Sequence, residues 1–231
     1  MLTDHYAAYG IRLRTPRLEL RLPDLDDLAR LADVAAAGVH DPSWMPFGVP
    51  WTDAAPAVRA RSVVTHTMSV LATSTPELWH LPFCIVYDGQ PVGLQTVKAE
   101  DYAILREVST GSWLGMRFQG RGIGTEMRAA VLHFAFEGLG ALYATSAAHE
   151  SNLASNGVSR RLGYISDGVE RLSVRGEVAV HGRLRVDRSA WLAHRTVPVS
   201  IDGLTEACLA DLGAAPTRSD APSAAMESLP G

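Results

Sequence analysis

Two cysteines, Cys84 and Cys208, are the only thiols in 231 residues. A pair so widely spaced excludes a disulfide framework and offers no metal-ligand spacing, so no metal is expected. It fits a reducing, cytoplasmic compartment. Lysine is scarcer still, with Lys98 alone. No basic block exists, and the net charge of -4 argues against a nucleic-acid partner. No apolar run approaches the roughly 18 residues that span a bilayer. The opening MLTDHYAAYGIRLR has no apolar core and no cleavage site of a secretory leader. A cytoplasmic protein without membrane contact is expected. No internal repeat is visible.

What is present is material for a core. The chain is 47% hydrophobic against 20% charged, enough for one domain of moderate size with appendages. A loose arm is expected over residues 1–14, a main domain over 15–194, an extension over 195–213 and a disordered, Ala/Pro/Ser-rich tail over 214–231.

Alternation at Leu18, Leu20 and Leu22 predicts a strand. Asp24 is placed to cap a helix, with Asp27 in its first turn and Leu25, Leu28, Leu31 and Ala32 facing inward. The next stretch, HDPSWMPFGVPWTD, carries three prolines, which forbid a regular helix. Two readings of it stand side by side. Its His40, Trp44, Met45, Phe47 and Trp51 line a substrate pocket, or they pack on the core. Thr52 or Asp53 is expected to cap a second helix reaching about Ala72, with Ala60, Val63, Val64, Thr67, Met68 and Leu71 as its stripe.

Phe83–Tyr87 and Pro91–Lys98, joined by Asp88-Gly89, read as a hairpin. A strand over Glu107–Gly115 follows. After it come a glycine-rich turn and a helix with Met127, Ala130, Val131, Phe134 and Ala135 on one face. Further on, a strand over Leu142–Ala148, a helix over Asn152–Leu162 and strands from Tyr164 and Glu177 are expected. A short helix over Ser189–His194 and an extended piece through Val197, Val199 and Ile201 close the domain. The order describes an α+β layer architecture around one sheet, not a doubly wound domain.

The stretch Trp113 to Arg128, WLGMRFQGRGIGTEMR, organises the rest. Strand, glycine turn and helix start form an anion cradle. Glycine backbones allow close approach, and unpaired N–H groups with the helix dipole behind them favour phosphate. A Walker loop requires a lysine after its last glycine, but Gly124 is followed by Thr125-Glu126. A dinucleotide fingerprint requires G-x-G-x-x-G on the first strand-to-helix turn, whereas this turn comes late and reads G-x-G-x-G.

Gln119-Gly120-Arg121-Gly122-Ile123-Gly124 matches Q-x-x-G-x-G, which resembles the pyrophosphate loop of the GNAT superfamily of acyl-CoA N-acyltransferases. One helix and one strand later, Asn152-Leu153-Ala154-Ser155 through Val158, Arg161, Gly163 and Tyr164 is similar to that family's N-x-x-[AS]-x-x-V-x-x-[KR]-x-G-[FY] segment. Thr15-Pro16-Arg17-Leu18-Glu19-Leu20-Arg21 and Ser112-Trp113-Leu114-Gly115 resemble the branch with the ribosomal-protein alanine acetyltransferases. MPFGVPWT, SGSWLG, GTEMRAAVL and the HRTV segment after Trp191 are similar to a succinyl-CoA-using member.

The resemblance implies a mixed, mostly antiparallel twisted sheet flanked by helices. It implies an acyl-CoA co-substrate, succinyl-CoA or acetyl-CoA, with its thioester between two splayed parallel strands. It implies a small-molecule or protein amine as acceptor, and a homodimer or higher homo-oligomer. Backbone groups of Trp113, Leu114 and Met116 would meet the pantetheine. Amides of Gln119, Gly120, Arg121, Gly122, Ile123, Gly124 and Thr125 would hold the pyrophosphate. Asn152 would touch the pantetheine arm, and Ser155 would face the thiol. Many relatives place a tyrosine proton donor where Ser159 stands, so Ser155 is the better donor here.

The attacking amine must lose a proton. Relatives often carry a mid-strand carboxylate where Ser109 and Thr110 stand. Glu107 lies two residues from Ser109 and on the same strand face. Glu107, Ser109, Asp101, His149, Glu150 and a water chain stay open as proton acceptors. The oxyanion would find an N–H donor near Leu114. A succinyl donor adds a carboxylate that needs a cation or several donors. The proline-rich loop has no Lys or Arg, so His40, backbone amides or Trp44 and Trp51 would serve. A non-catalytic acyl-CoA sensor or recruiting module is the competing reading, and a nucleotide-binding protein a third.

Overall fold

The computed structural model describes residues 1–214, so the expected tail lies, Ala214 apart, outside the described residues. The chain runs β1 (Arg12–Arg14), β2 (Leu18–Arg21), α1 (Leu25–Ala37), α2 (Pro56–Ala72), β3 (Leu78–Tyr87), β4 (Gln90–Glu100) and the single turn α3 (Tyr102–Leu105). It continues with β5 (Glu107–Leu114), α4 (Ile123–His133), β6 (Tyr143–His149), α5 (Leu153–Arg161), β7 (Ile165–Val174) and β8 (Glu177–Asp187). The last elements are α6 (Arg188–His194), β9 (Ser200–Asp202) and α7 (Glu206–Asp211).

Nine strands form one sheet in the order β7-β8-β6-β5-β4-β3-β2-β1-β9. Every pairing is antiparallel except β5 with β6. The expected α+β class, a mixed and mostly antiparallel sheet flanked by helices, is what the chain adopts. Among the described residues no helix is long and apolar enough to cross a membrane.

Residues of β3 are buried on both faces. Phe83 and Ile85 join the core that α4 closes, while Cys84 and Val86 pack with Leu31 and Ala35 of α1 and Val63 of α2. Double burial explains why β3 reads as a continuous apolar run. Met127, Ala130, Val131, Phe134 and Ala135 of α4 are all buried, as their spacing predicts. The β3–β4 turn holds Asp88 and Gly89 at φ 51° and 69°, the two-residue hairpin conformation.

Several expectations are corrected. The arm over 1–14 is not loose: Ala8 and Ile11 are fully buried, and Arg12–Arg14 is a strand held between β2 and β9. Leu25 is 73% exposed, because α1 turns its Leu28, Leu31, Val34 and Ala35 inward instead. Neither Thr52 nor Asp53 caps α2, which starts at Pro56 without a side-chain cap. Thr52 is buried against His40, and Asp53 pairs with Arg175 (2.6 Å). Met68 lies exposed, and only Val63 and Thr67 of the α2 stripe are buried.

The opening Thr-Pro-Arg has a tertiary purpose. Thr15 Oγ1 donates to the buried Glu126 carboxylate of α4 (2.6 Å), and Arg17 pairs with it (2.6 Å). The segment before β2 is thereby tied to the first turn of α4, next to the glycine loop.

Candidate active site

Strands β5 and β6 pair over only three positions, Glu107↔Tyr143, Val108↔Ala144 and Ser109↔Thr145. Beyond Ser109 they part: β5 stays with β4 and β6 with β8. Side chains bridge the start of the opening. Thr110 Oγ1 donates to the Thr145 carbonyl (3.0 Å), and Ser146 Oγ donates to the Thr110 carbonyl (3.3 Å). Gly115 N–H bonds the Val92 carbonyl (2.9 Å), so strand alternation turns the N–H groups of Ser112 and Leu114 away from β4, toward the gap.

Two cavities meet at this gap. One, of about 470 Å³, runs from Gly120 and Gly124 past Trp113 to Ser155. The other, of about 680 Å³, is bounded by Glu107, Ser109, Thr145, Glu170 and His181. Ser112, Arg128, Asn152 and Ser155 line both. A molecule lying in the smaller cavity and one entering the larger would touch there.

The glycine loop forms the outer end of the smaller cavity. Gly120 and Gly122 hold φ of 73° and 79°, a conformation side chains disfavour. Gly122 stands at the start of α4, and its carbonyl accepts from Thr125 and Glu126 N–H (3.1 and 3.2 Å). Ile123 and Gly124 supply the orphan donors of the helix end. Ile123 itself is fully buried and contributes only backbone. Thr125 lines the groove with its side chain, its N–H being used in the first turn. The Gln119 side-chain amide donates to the carbonyls of Val39 (2.7 Å) and Leu114 (3.0 Å), and its backbone N–H to that of Met116 (3.2 Å). Arg121 is exposed, with its guanidinium 6.0 Å from the Phe118 ring. Arg161 of α5 lines the same cavity and adds a cation there. The Met116 N–H is not free, since it donates to the Gly38 carbonyl (3.0 Å).

The proline-rich loop divides its residues between the cavities and the core. Trp44 and Phe47 line the smaller cavity, and Phe47 the larger one as well. Trp51 instead packs between Phe47 and Trp113 (5.4 and 5.8 Å between centroids), which also fixes Trp113. Met45 lines neither cavity, and its sulfur lies against Thr52 Oγ1 (3.7 Å). His40 lines the smaller cavity, but both ring nitrogens are engaged, Nε2 with Thr52 Oγ1 (2.6 Å) and Nδ1 with the Asp41 carbonyl (2.7 Å). It is a loop brace rather than a ready partner for a ligand carboxylate.

Asn152 caps α5, its side-chain oxygen accepting from Ser155 N–H (3.1 Å). Ser155 thus sits one turn into the helix at the junction, while Ser159 is buried in the core with its hydroxyl unpartnered. Glu107 and Ser109 line the larger cavity, as the shared strand face predicts. Asp101, His149 and Glu150 do not line it, and His149 Nδ1 is engaged with Ser151 (2.8 Å).

Two residues of the site escape sequence reasoning. His181 of β8 is 4% exposed and lines the larger cavity with Nε2 unpartnered. Burial pushes its pKa below 6.5; Glu170 opposes the shift and His149, 5.8 Å away, adds to it. It is a neutral base at pH 7. Arg128 of α4 is 3% exposed, within the gap. A detectable signal existed for Arg128, a charge on the same helix face as Val131 and Ala135. For His181 none did.

This architecture and this loop have counterparts among known proteins. A family model described as an acetyltransferase (GNAT) domain matches residues 17–165, more than half of the chain. Among solved structures, RimJ of Mycobacterium smegmatis in complex with CoA-disulfide superposes with a TM-score of 0.65 at 23% identity. That match covers 79% of this chain and 90% of the other. A GCN5-related N-acetyltransferase from Brucella melitensis gives 0.62 at 18% identity, covering 80% and 81%. RimL, a ribosomal alpha-N-protein acetyltransferase in complex with coenzyme A, gives 0.59 at 19% identity, covering 76% and 97%. At these identities the likeness establishes the fold.

Proposed function

The chain belongs to the GNAT acetyltransferase family, and from that premise we propose an N-acyltransferase that moves a succinyl group from succinyl-CoA to a primary amine. Acyl transfer from acyl-CoA is the family's reaction. The succinyl donor, rather than acetyl, is supported by MPFGVPWT, SGSWLG and GTEMRAAVL. The observation that carries the reaction is the meeting of the two cavities at Ser112, Asn152 and Ser155. It supports a ternary complex, with the donor along the glycine loop and the acceptor entering past Glu107 and Glu170. Carboxylates at that entrance suit an amine arriving as a cation, whether on a small molecule or a protein.

In the proposed reaction the groups at the gap act in turn. His181, kept neutral by burial, takes a proton from the amine. The amine nitrogen attacks the thioester carbonyl. The oxyanion receives hydrogen bonds from N–H groups of Ser112 and Leu114. The C–S bond then breaks, and the thiolate takes a proton from Ser155 Oγ, which in turn takes the proton that the acylated nitrogen sheds as it becomes the amide. Glu107 is the second candidate for the first proton transfer.

Homodimerisation is part of the proposal. The segment after Trp191 is committed to its own sheet edge, β9 on β1. The exposed Val169, Val178 and Val180 of the β7–β8 hairpin share one sheet face and supply an apolar patch on the other edge. Light scattering in solution tests it: a monomeric mass contradicts it.

The test of function is steady-state release of free coenzyme A from acyl-CoA across a panel of amines. Amine-dependent turnover is expected. Tight CoA binding without turnover for any amine would favour the competing reading, a non-catalytic acyl-CoA sensor or recruiting module.

A further inference from the structure

Among the described residues Arg128 is the one buried cation at the junction, and its hydrogen-bond partners are neutral. Nε lies 3.4 Å from Gln95 Oε1, and the two terminal nitrogens lie 3.3 Å from Ser146 Oγ and 3.4 Å from Ser112 Oγ. All three contacts sit at the long end of the hydrogen-bond range, whereas charge-assisted bonds run about 2.7–2.9 Å. Among the described residues no carboxylate pairs with it. The contrast within the molecule is direct. Buried Asp27 and Glu126 each have an arginine, Arg21 (2.9 Å) and Arg17 (2.6 Å). A guanidinium stays charged at any physiological pH, and burying it without an anion is costly. Its planar fork matches a carboxylate held by two parallel bonds.

Its position narrows the ligand. Arg128 lines both cavities, beside Ser112 and Ser155. If the thioester is attacked at that junction, the part of the donor within reach of Arg128 is the acyl chain itself. The geometry points to Arg128 as the anchor for a ligand carboxylate, namely the terminal carboxylate of a short dicarboxylic acyl thioester, with Ser112 and Ser146 as neutral supports. This assignment rests on the junction being the reaction site of the proposed function. It replaces His40 and the tryptophans of the proline-rich loop as the recognition element for a succinyl donor.

The test compares succinyl-CoA with butyryl-CoA, which has the same carbon chain and a methyl in place of the carboxylate. Calorimetric affinities of the full chain, without acceptor, should favour succinyl-CoA roughly 10- to 100-fold, the worth of a hydrogen bond to a charged group. In Arg128→Gln the ratio should collapse to within about threefold, and in Arg128→Lys it should keep a part. Free CoA is titrated alongside: wild-type protein that binds no CoA contradicts the family-based function, not merely this anchor. A second arm takes acetyl-CoA as donor and compares an amino acid with its decarboxylated amine as acceptor. A preference for the carboxylated acceptor that Arg128→Gln removes would keep the anchor and assign the carboxylate to the acceptor. Wild-type protein that binds CoA yet discriminates in neither arm overturns the inference, and Arg128 is then a brace between β4, β5 and β6. That outcome is read on wild-type protein alone and does not depend on a variant folding.

Discussion

Replacing Gly122 by Asp places a charge at the mouth of the phosphate cradle, and Gly122→Asn is its isosteric control. Both side chains tolerate the positive φ of 79° better than other residues, so backbone strain cancels between them. Both place a Cβ 3.3 Å from an Arg17 terminal nitrogen, a crowding they also share. They differ by one negative charge at the start of α4. A carboxylate about 5 Å from a phosphate charge is repelled by roughly 1 to 3 kcal/mol, between aqueous and near-surface screening. Over the two charges of a pyrophosphate, even about 1.4 kcal/mol each raises the Kd about a hundredfold. Thermal unfolding with and without CoA reads this out. At a ligand concentration of about 100 wild-type Kd, CoA stabilises the native state by about 2.7 kcal/mol, falling to about 0.4 when Kd rises a hundredfold. For a chain of this size that is a Tm rise of about 5–10 °C shrinking to about 1 °C. Gly122→Asn should retain most of the rise. An undiminished rise in folded Gly122→Asp would mean that the loop does not hold the pyrophosphate.

Three further outcomes are expected. Because His181 is held neutral below pH 6.5, wild-type kcat at saturating amine should rise to a plateau with its midpoint under that value. His181→Gln should lose the inflection and about a hundredfold in kcat, while an unchanged profile would hand the proton to Glu107 or water. Ser155→Ala should lower kcat by about tenfold, because the departing thiolate loses its proton donor, and a thioester of a more acidic thiol should restore the rate; no rate change would make the serine a mere lining residue. Burial lowers the pKa of His80 to about 4 and depresses those of His133 and His181, so the unfolded chain binds protons that the native state refuses. That stability is complete above pH 6.5 and is lost as the pH falls toward 4. His80 alone contributes about 2 kcal/mol after allowance for its partial solvent access. Urea unfolding at pH 7 and pH 4.5 checks the sign, and equal stability at both would contradict it.

Local pattern and tertiary placement divide what could be read in advance. The α4 stripe, the Asp88-Gly89 hairpin and the Asp24 cap follow from spacing and short-range hydrogen bonding, and all were legible. Strand β1, three residues long, and the six-residue α7 are too short to carry a period, and only their partners make them elements, whereas β9 lies at the end of the alternation Val197, Val199 and Ile201. The buried Ala8 and Ile11 were hidden for the same reason. In the site, the glycine loop is contiguous and was readable. Arg128, Gln95, Ser112 and Ser146 come from α4, β4, β5 and β6, and no linear motif unites them. His181 gains its character from burial under the loop near Gly48, which sequence alone does not place. That His40 spends both ring nitrogens on Thr52 and Asp41 was not legible, because those bonds are properties of the folded loop.

The most direct test is a competition. The protein is given equimolar succinyl-CoA and acetyl-CoA with a panel of amines, and the products are identified by mass. Enzyme-dependent succinylated amine as the main product, with stoichiometric free coenzyme A, is the predicted result. Acetylated amine as the main product would contradict the donor assignment, and no acylated amine from either donor would contradict catalysis itself.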